Sequence, residues 1–440
     1  MQVFFDTTLE REFEKVYTKF KSIEISTDEA YQEDLVYLSK HITVFDPCPS
    51  LCQKEDFNSA AIDGSGAESI VSLNDISIHL LTASFAADET IFSMGTTNRI
   101  DLTPPICTNP EGITRLILLR EDKKDEVWED FEDFISYNYG EKLIDVIHRV
   151  IKDIVKTAYK ISKPNDPLPK LDTEVDIRKA AIIIGLNLYK DNFDNYSSWM
   201  VSPRANAPRG WFEQYREVLE YSMSHSLLQS DIHFKYLFID GSMNMLLSPG
   251  QNQPRLASNY LLRDINLKAL EKDTCVVAVS KTTTFPFIYR IAQDVEKKLG
   301  AEKKWFLKIP TKKRDGHILN ILEDRPHIPP AYGVTYLFHF SSEVPVLRID
   351  FDEKWWYENI HSTDKKQQND REISLFKDID WLARDVRYYG YFFDLAFAHN
   401  STIVRFADRD VVANRLIDYF ASKGENPKMF IHPRRRLGLM

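Results

Sequence analysis

Glycine is scarce in this chain, 15 residues in 440 against 20 prolines, which leaves no compositional room for long flexible linkers. Cysteine is scarcer still. The four residues, at positions 48, 52, 107 and 275, are too scattered for a disulfide framework and fit a reducing compartment. Cys48-x-x-x-Cys52 has no second Cys or His pair at a useful spacing, so a zinc site is not expected. No apolar run approaches a membrane span, residues 180–186 being far too short. The opening residues turn acidic and helical without a basic region followed by an apolar core. No secretory leader is therefore expected, and the expected location is cytoplasmic. Positive charge is also in deficit: the net charge of −10 excludes a general nucleic-acid coat while leaving space for a local basic channel.

What is present is an ordinary globular composition, 43% hydrophobic and 28% charged, enough for a large core and two or three domains. Residues 7–45 read as helices, with Leu9, Phe13, Val16, Tyr17 and Phe20 at three- and four-residue steps. Asp46-Pro47-Cys48-Pro49 ends that segment. From residue 112 a short apolar run leads through an acidic stretch into a helical pattern over 131–160, closed by Pro164, Pro167 and Pro169. This stretch, about 120–165, is read as a helical insertion. The expected organisation is an N-terminal helical segment (1–57), a main domain (58–410) and a C-terminal helix with a basic tail (411–440).

The chemistry concentrates in two matching stretches, Ala60-Ala61-Ile62-Asp63-Gly64-Ser65 and Leu237-Phe238-Ile239-Asp240-Gly241-Ser242. Each is a short apolar run, read as a buried strand, closed by Asp-Gly-Ser. The plain alternative for either copy is an Asx-turn ending a strand. If the two strands are neighbours, the carboxylates make half of a divalent-metal site. Between them a helix over 211–228 carries Glu213, Glu217 and Glu220 on one face and runs directly into the strand ending at Asp240. It brings a third carboxylate near, Glu220 or Glu217. Strand 275–280 ends in Lys281-Thr282-Thr283-Thr284, able to hold phosphate oxygens but not a P-loop, because no glycines precede the Lys. Gly390-Tyr391 and Ala398-His399 add a late imidazole. Carboxylates with one imidazole suit Mg²⁺ or Mn²⁺, the His tilting toward Mn²⁺. Two such ions ~4 Å apart can clamp the attacking and leaving oxygens of a phosphodiester.

In order and separation these motifs resemble those of the NurA nucleases. The resemblance rests on Asp63-Gly64-Ser65, the helix with Arg216 and Glu220, Asp240-Gly241-Ser242 and Tyr391 with His399, and spans roughly residues 58–410. It implies an α/β fold, an RNase H-like mixed sheet flanked by helices. It also implies an Mn²⁺-dependent deoxyribonuclease, exo- or endonucleolytic, that acts on DNA ends as a homodimer with a HerA-like hexameric translocase. By the resemblance Asp63, Glu220, Asp240 and His399 would bind metal, with Tyr391 beside them and Lys281 where the family carries a Lys. Phe392 stands where the family usually has Pro. Two other classes fit the same residues: a non-catalytic NurA-like partner regulating a DNA motor, and a metal-dependent phosphatase or nucleotide hydrolase.

Overall fold

The computed structural model describes residues 13–19, 38, 40–46, 58–66, 69–73, 76–89, 112–120, 124–184, 208–243, 256–280, 288–300, 302–309, 333–384 and 388–426. In chain order, strands β1 (Ile42–Phe45), β2 (Asn58–Gly66), β3 (Val71–Leu73), β4 (Ile76–Glu89) and β5 (Ile113–Arg120) come first. Helices α1 (Lys124–Tyr139), α2 (Leu143–Ser162), α3 (Glu174–Ile183) and α4 (Pro208–Gln229) follow. Next are β6 (Tyr236–Asp240), α5 (Leu256–Glu271), β7 (Cys275–Ser280), α6 (Ile288–Leu299) and β8 (Lys304–Lys308). The chain continues with β9 (Gly333–His339), β10 (Leu347–Asp352), α7 (Glu353–Asn359), α8 (Lys365–Leu382), α9 (Phe393–Thr402) and α10 (Phe406–Ser422).

The ten strands of the described residues join one sheet. β2, β4 and β5 form an antiparallel meander, with β3 continuing along the β2 edge of β4. β6 then lies parallel to β2 on its other side, and β7 parallel to β6. Three antiparallel strands followed by two parallel ones, in the order β5-β4-β2-β6-β7, is the RNase H-like arrangement. Beyond β7 the sheet continues antiparallel through β10, β9, β8 and β1. The parallel strands sit in the middle with both faces covered. This is why β7, Cys-Val-Val-Ala-Val-Ser, reads as an unbroken apolar run rather than an alternating one.

Two cores follow from the alternation of side chains across the sheet. On one face Ala60, Ile62, Leu237, Ile239, Val276 and Ala278 pack against α1, α2, α3, α4 and α5. On the other, Ala61, Tyr236, Phe238, Val277 and Val279 meet α7, α8 and α9 around Phe376 and Phe392. The insertion belongs to the first core. On α2, Leu143, Val146, Ile147, Val150, Ile151, Ile154 and Val155 recur at helical spacing and are all buried. A buried charge network fastens it. Asp264 on α5 accepts from Arg149 Nη2 at 2.8 Å and from the Tyr139 hydroxyl at 2.6 Å, and Lys268 lies 2.9 Å away.

Two expectations change. Residues 42–45, read as the end of a helical segment, are strand β1, paired along its length with β8. β2 does not stop at Asp63 but runs on through Gly66, because β4 stays in antiparallel register with it from Asn58 to Gly66. The helical pattern expected over 131–160 corresponds to α1 and α2, the helix expected over 211–228 to α4 and the strand expected over 275–280 to β7. Lys281, Cys48, Cys52, Cys107 and the basic stretches 312–314 and 434–436 lie outside the described residues. Among the described residues no helix is long and apolar enough to cross a membrane.

Candidate metal centre

The two Asp-Gly-Ser copies meet because β2 and β6 are parallel neighbours in a matching register. Ile62 pairs with Ile239, so Asp63 and Asp240 are the next positions on adjacent strands, about 4.8 Å apart across the sheet. Both continue the face that carries Ala61 and Phe238, the face covered by α9. Their environments differ. Asp63 is buried, 3% exposed, whereas Asp240 is the exposed last residue of its strand.

Asp63 is held from two directions. Its Oδ1 accepts from the Gly64 backbone N–H at 2.7 Å, and its Oδ2 lies 2.6 Å from His399 Nδ1 on α9. The structure thus brings together the first and last residues of the predicted set, 336 positions apart in the chain.

The two glycines after the aspartates serve different ends. At Gly64 a Cβ would collide with the carboxylate of Glu220, so the missing side chain is what lets α4 lay that residue against β2. Gly241 instead adopts φ +114°, a turn that L side chains rarely enter. Its N–H donates to the Val279 carbonyl at 3.0 Å, and its carbonyl accepts from Ser280 Oγ at 2.6 Å. Two residues on, Met243 N–H donates to the fully buried Asp350, itself held by Arg348 at 2.9 Å. The chain leaving Asp240 is therefore fixed to β7 and β10. Gly64→Ala should cost about 1–3 kcal/mol by forcing Glu220 away from the strand. Urea unfolding of the variant measures it, and wild-type stability would show that the close approach is not needed.

Of the three glutamates on α4, Glu220 is the buried one; Glu213 and Glu217 are half-exposed. Arg216, one turn earlier, pairs with it, Nε lying 3.3 Å from Oε1. Burial is the largest influence on Glu220 and drives its carboxyl up to about 8; Arg216 opposes this, while Asp63, Glu217 and Asp240 add to it. The Arg216 guanidinium is in turn held further into its charged form, first by Glu220 and despite its own burial. Tyr391 completes the neighbourhood: burial, then the charges of Asp240 and Asp63, raise its phenol above the usual range. The departure at Phe392 has a packing reason. Its ring is buried and stacks on Phe238, centroids 4.5 Å apart, filling the core two residues below Asp240.

Among the described residues no three His, Cys, Asp or Glu side chains converge as a ligand set. They form pairs instead: Asp63 with His399, Asp63 beside Asp240, and Glu220 with Arg216. The donor chemistry still fits a hard divalent cation. Asp63 and Asp240 sit side by side on one face of the sheet, and their charges reach Glu220, which burial above all disfavours as an anion; a cation beside the aspartates would relieve this crowding. Sequence patterns gave no sign of Ser59 and Asp394, joined by a 2.6 Å hydrogen bond, or of the Arg348–Asp350 clamp. Each depends on a contact between residues with no motif of their own.

No family model matches the sequence, and no curated protein matches it. Among solved structures, the chain is similar to the crystal structure of the NurA nuclease from Sulfolobus solfataricus, at 13% identity and a TM-score of 0.48, covering 96% of this chain and 99% of that one. It is similar also to a crystal structure of NurA, at 11% identity and a TM-score of 0.39, covering 97% of this chain and 100% of that one. A third is a crystal structure of NurA with manganese, at 11% identity and a TM-score of 0.36, covering 96% and 99%.

Proposed function

We propose that this protein is a divalent-metal-dependent deoxyribonuclease, using Mn²⁺ or Mg²⁺ to hydrolyse phosphodiester bonds. The observation that carries the reading is the side-by-side placement of Asp63 and Asp240 on parallel strands, with His399 on one of them. Asp63, Asp240, Glu220 and His399 are the residues that would hold the metal. When bound, such ions supply an activated water and stabilise charge on the attacking and leaving oxygens.

The chain's own part is to position and to exclude. The β2 and β6 backbones fix Asp63 and Asp240, and the Gly64 N–H orients one Asp63 oxygen. Arg216 opposes the burial that disfavours the Glu220 anion, and Glu217 stays at the half-exposed rim of the same helix. Tyr391 keeps its proton and lines the wall beside both aspartates. Lys281, which follows the last residue of β7, is the proposed phosphate contact together with Arg216. DNA is the proposed substrate, and a HerA-like hexameric ATPase and a second copy of the chain are the proposed partners, all on the motif resemblance.

The test is DNA degradation by the purified protein with Mn²⁺, repeated with EDTA and across a salt series. Degradation is expected with Mn²⁺ and not with EDTA, and DNA affinity should fall steeply with salt as phosphate contacts are screened. A protein that binds a DNA motor but never cleaves DNA with any divalent ion would instead be a regulatory partner. Cleavage confined to free nucleotides would make it a nucleotide hydrolase.

A further inference from the structure

Helix α9 carries His399, and a side-chain hydrogen bond ties each of its ends to the strands beneath. At the N-terminal end the Asp394 carboxylate accepts from Ser59 Oγ at 2.6 Å, both groups being buried. At the C-terminal end Thr82 Oγ1 donates to the Thr402 carbonyl at 2.7 Å. Ser59 and Asp63 lie on the same face of β2, because side chains alternate along a strand. The strand therefore meets the helix at two polar points, Ser59 with Asp394 and Asp63 with His399, while Thr82 anchors the far end from β4.

Beside these bonds the helix packs on apolar side chains, and Asn400 Nδ2 donates to the Tyr388 hydroxyl. Leu395 packs beside Phe238 and Phe392 in the core, and Ala396 and Ala398 are buried on the same helix. Apolar packing of small side chains resists separation but not sliding; a hydrogen bond at each end resists sliding. Burying a carboxylate is unfavourable unless it is hydrogen-bonded, so the Ser59 bond favours the register in which it meets Asp394. Nor is Asp394 a helix cap: the N-cap position is Phe392, with no side-chain cap bond.

We propose that Ser59 and Asp394, with Thr82 at the opposite end, are positioning residues that set the register of α9 and so hold His399 at the Asp63 carboxylate. They touch neither substrate nor metal. Their consequence for metal affinity rests on the function proposed above; their control of His399 does not.

Two readouts on the full-length protein separate these. The first is the ¹⁵N spectrum of the histidine side chains at pH 8, with the His399 signal assigned through His399→Gln. Wild type should show a single tautomer, Nδ1–H donated to Asp63. Asp394→Asn keeps an acceptor for Ser59 Oγ and should look the same. Ser59→Ala combined with Thr82→Val should show an averaged imidazole. The second is calorimetric titration with Mn²⁺ alone: the double variant should bind at least tenfold more weakly and Asp394→Asn within about threefold of wild type, the range seen when partners of metal ligands are removed. If the double variant fails to fold, Ser59→Ala alone is read by the same criteria. A folded variant with the wild-type tautomer overturns the proposal, as does loss of the tautomer in Asp394→Asn, which would assign Asp394 to charge at the helix N-terminus rather than to register. If wild type itself binds no Mn²⁺, the metal reading fails and the imidazole spectrum alone decides the positioning role.

Discussion

Asp63→Asn and Asp240→Asn are each expected to lower Mn²⁺-dependent DNA degradation by on the order of a thousandfold, with cooperative unfolding preserved. Asn keeps the shape of Asp and, at position 63, an oxygen to accept from the Gly64 N–H, so the strand has no reason to move. What it removes is the negative charge that draws the cation. Asp240 is exposed at the end of β6, where a neutral amide is well solvated. At Asp63 the change even eases the crowding that disfavours the Glu220 anion. Activity and stability should therefore separate. Rates measured at saturating Mn²⁺ beside urea unfolding curves show whether they do. Full activity in either variant would remove the two aspartates from the chemistry.

The second large effect concerns stability against pH in metal-free protein. Folding raises the Glu220 carboxyl from 4.5 to about 8, through burial above all. A raised acid binds its proton more tightly in the folded state. Its contribution is therefore fully present below about pH 4.5 and is lost as pH rises through about 8. Each pKa unit corresponds to about 1.4 kcal/mol, and Arg216 and solvent at the rim reduce the total. Glu220→Gln removes the titration. In EDTA the variant should exceed wild type by on the order of 2–4 kcal/mol above pH 8, the gap closing toward pH 4.5. Urea unfolding at pH 5, 7 and 9 gives the difference directly. A gap that does not change with pH would mean that Glu220 is ordinarily solvated.

Several of the elements around Asp63 and Asp240 are legible in the sequence, for identifiable reasons. A buried parallel strand must be apolar throughout, so Phe238-Ile239 and Val276-Val277 announce themselves. A helix amphipathic over several turns does the same, as α2 shows. The repeat of Asp-Gly-Ser gives the two strands matching ends, and the structure makes those strands parallel neighbours. Other features depend on partners distant in the chain. β1 is four residues long and is a strand only because β8 lies beside it, so its local pattern merged with the helical segment before it. β2 looked finished at Asp63 because Gly and Ser are turn residues; the long partner strand β4 overrides that preference. The difference between Gly64 and Gly241 was equally hidden, since the same tripeptide serves a close approach in one copy and a positive φ in the other. That Glu220 rather than Glu217 is the buried one follows from the orientation of α4 on the sheet, which two glutamates within one turn do not specify.

The central claim is that Asp63 and Asp240 share a divalent cation. Crystals soaked in Mn²⁺, with anomalous scattering measured at the manganese edge, test it most directly. The account predicts a peak within coordinating distance of both carboxylates on the α9 side of the sheet. A peak bound only elsewhere, or none at saturating Mn²⁺, would contradict it.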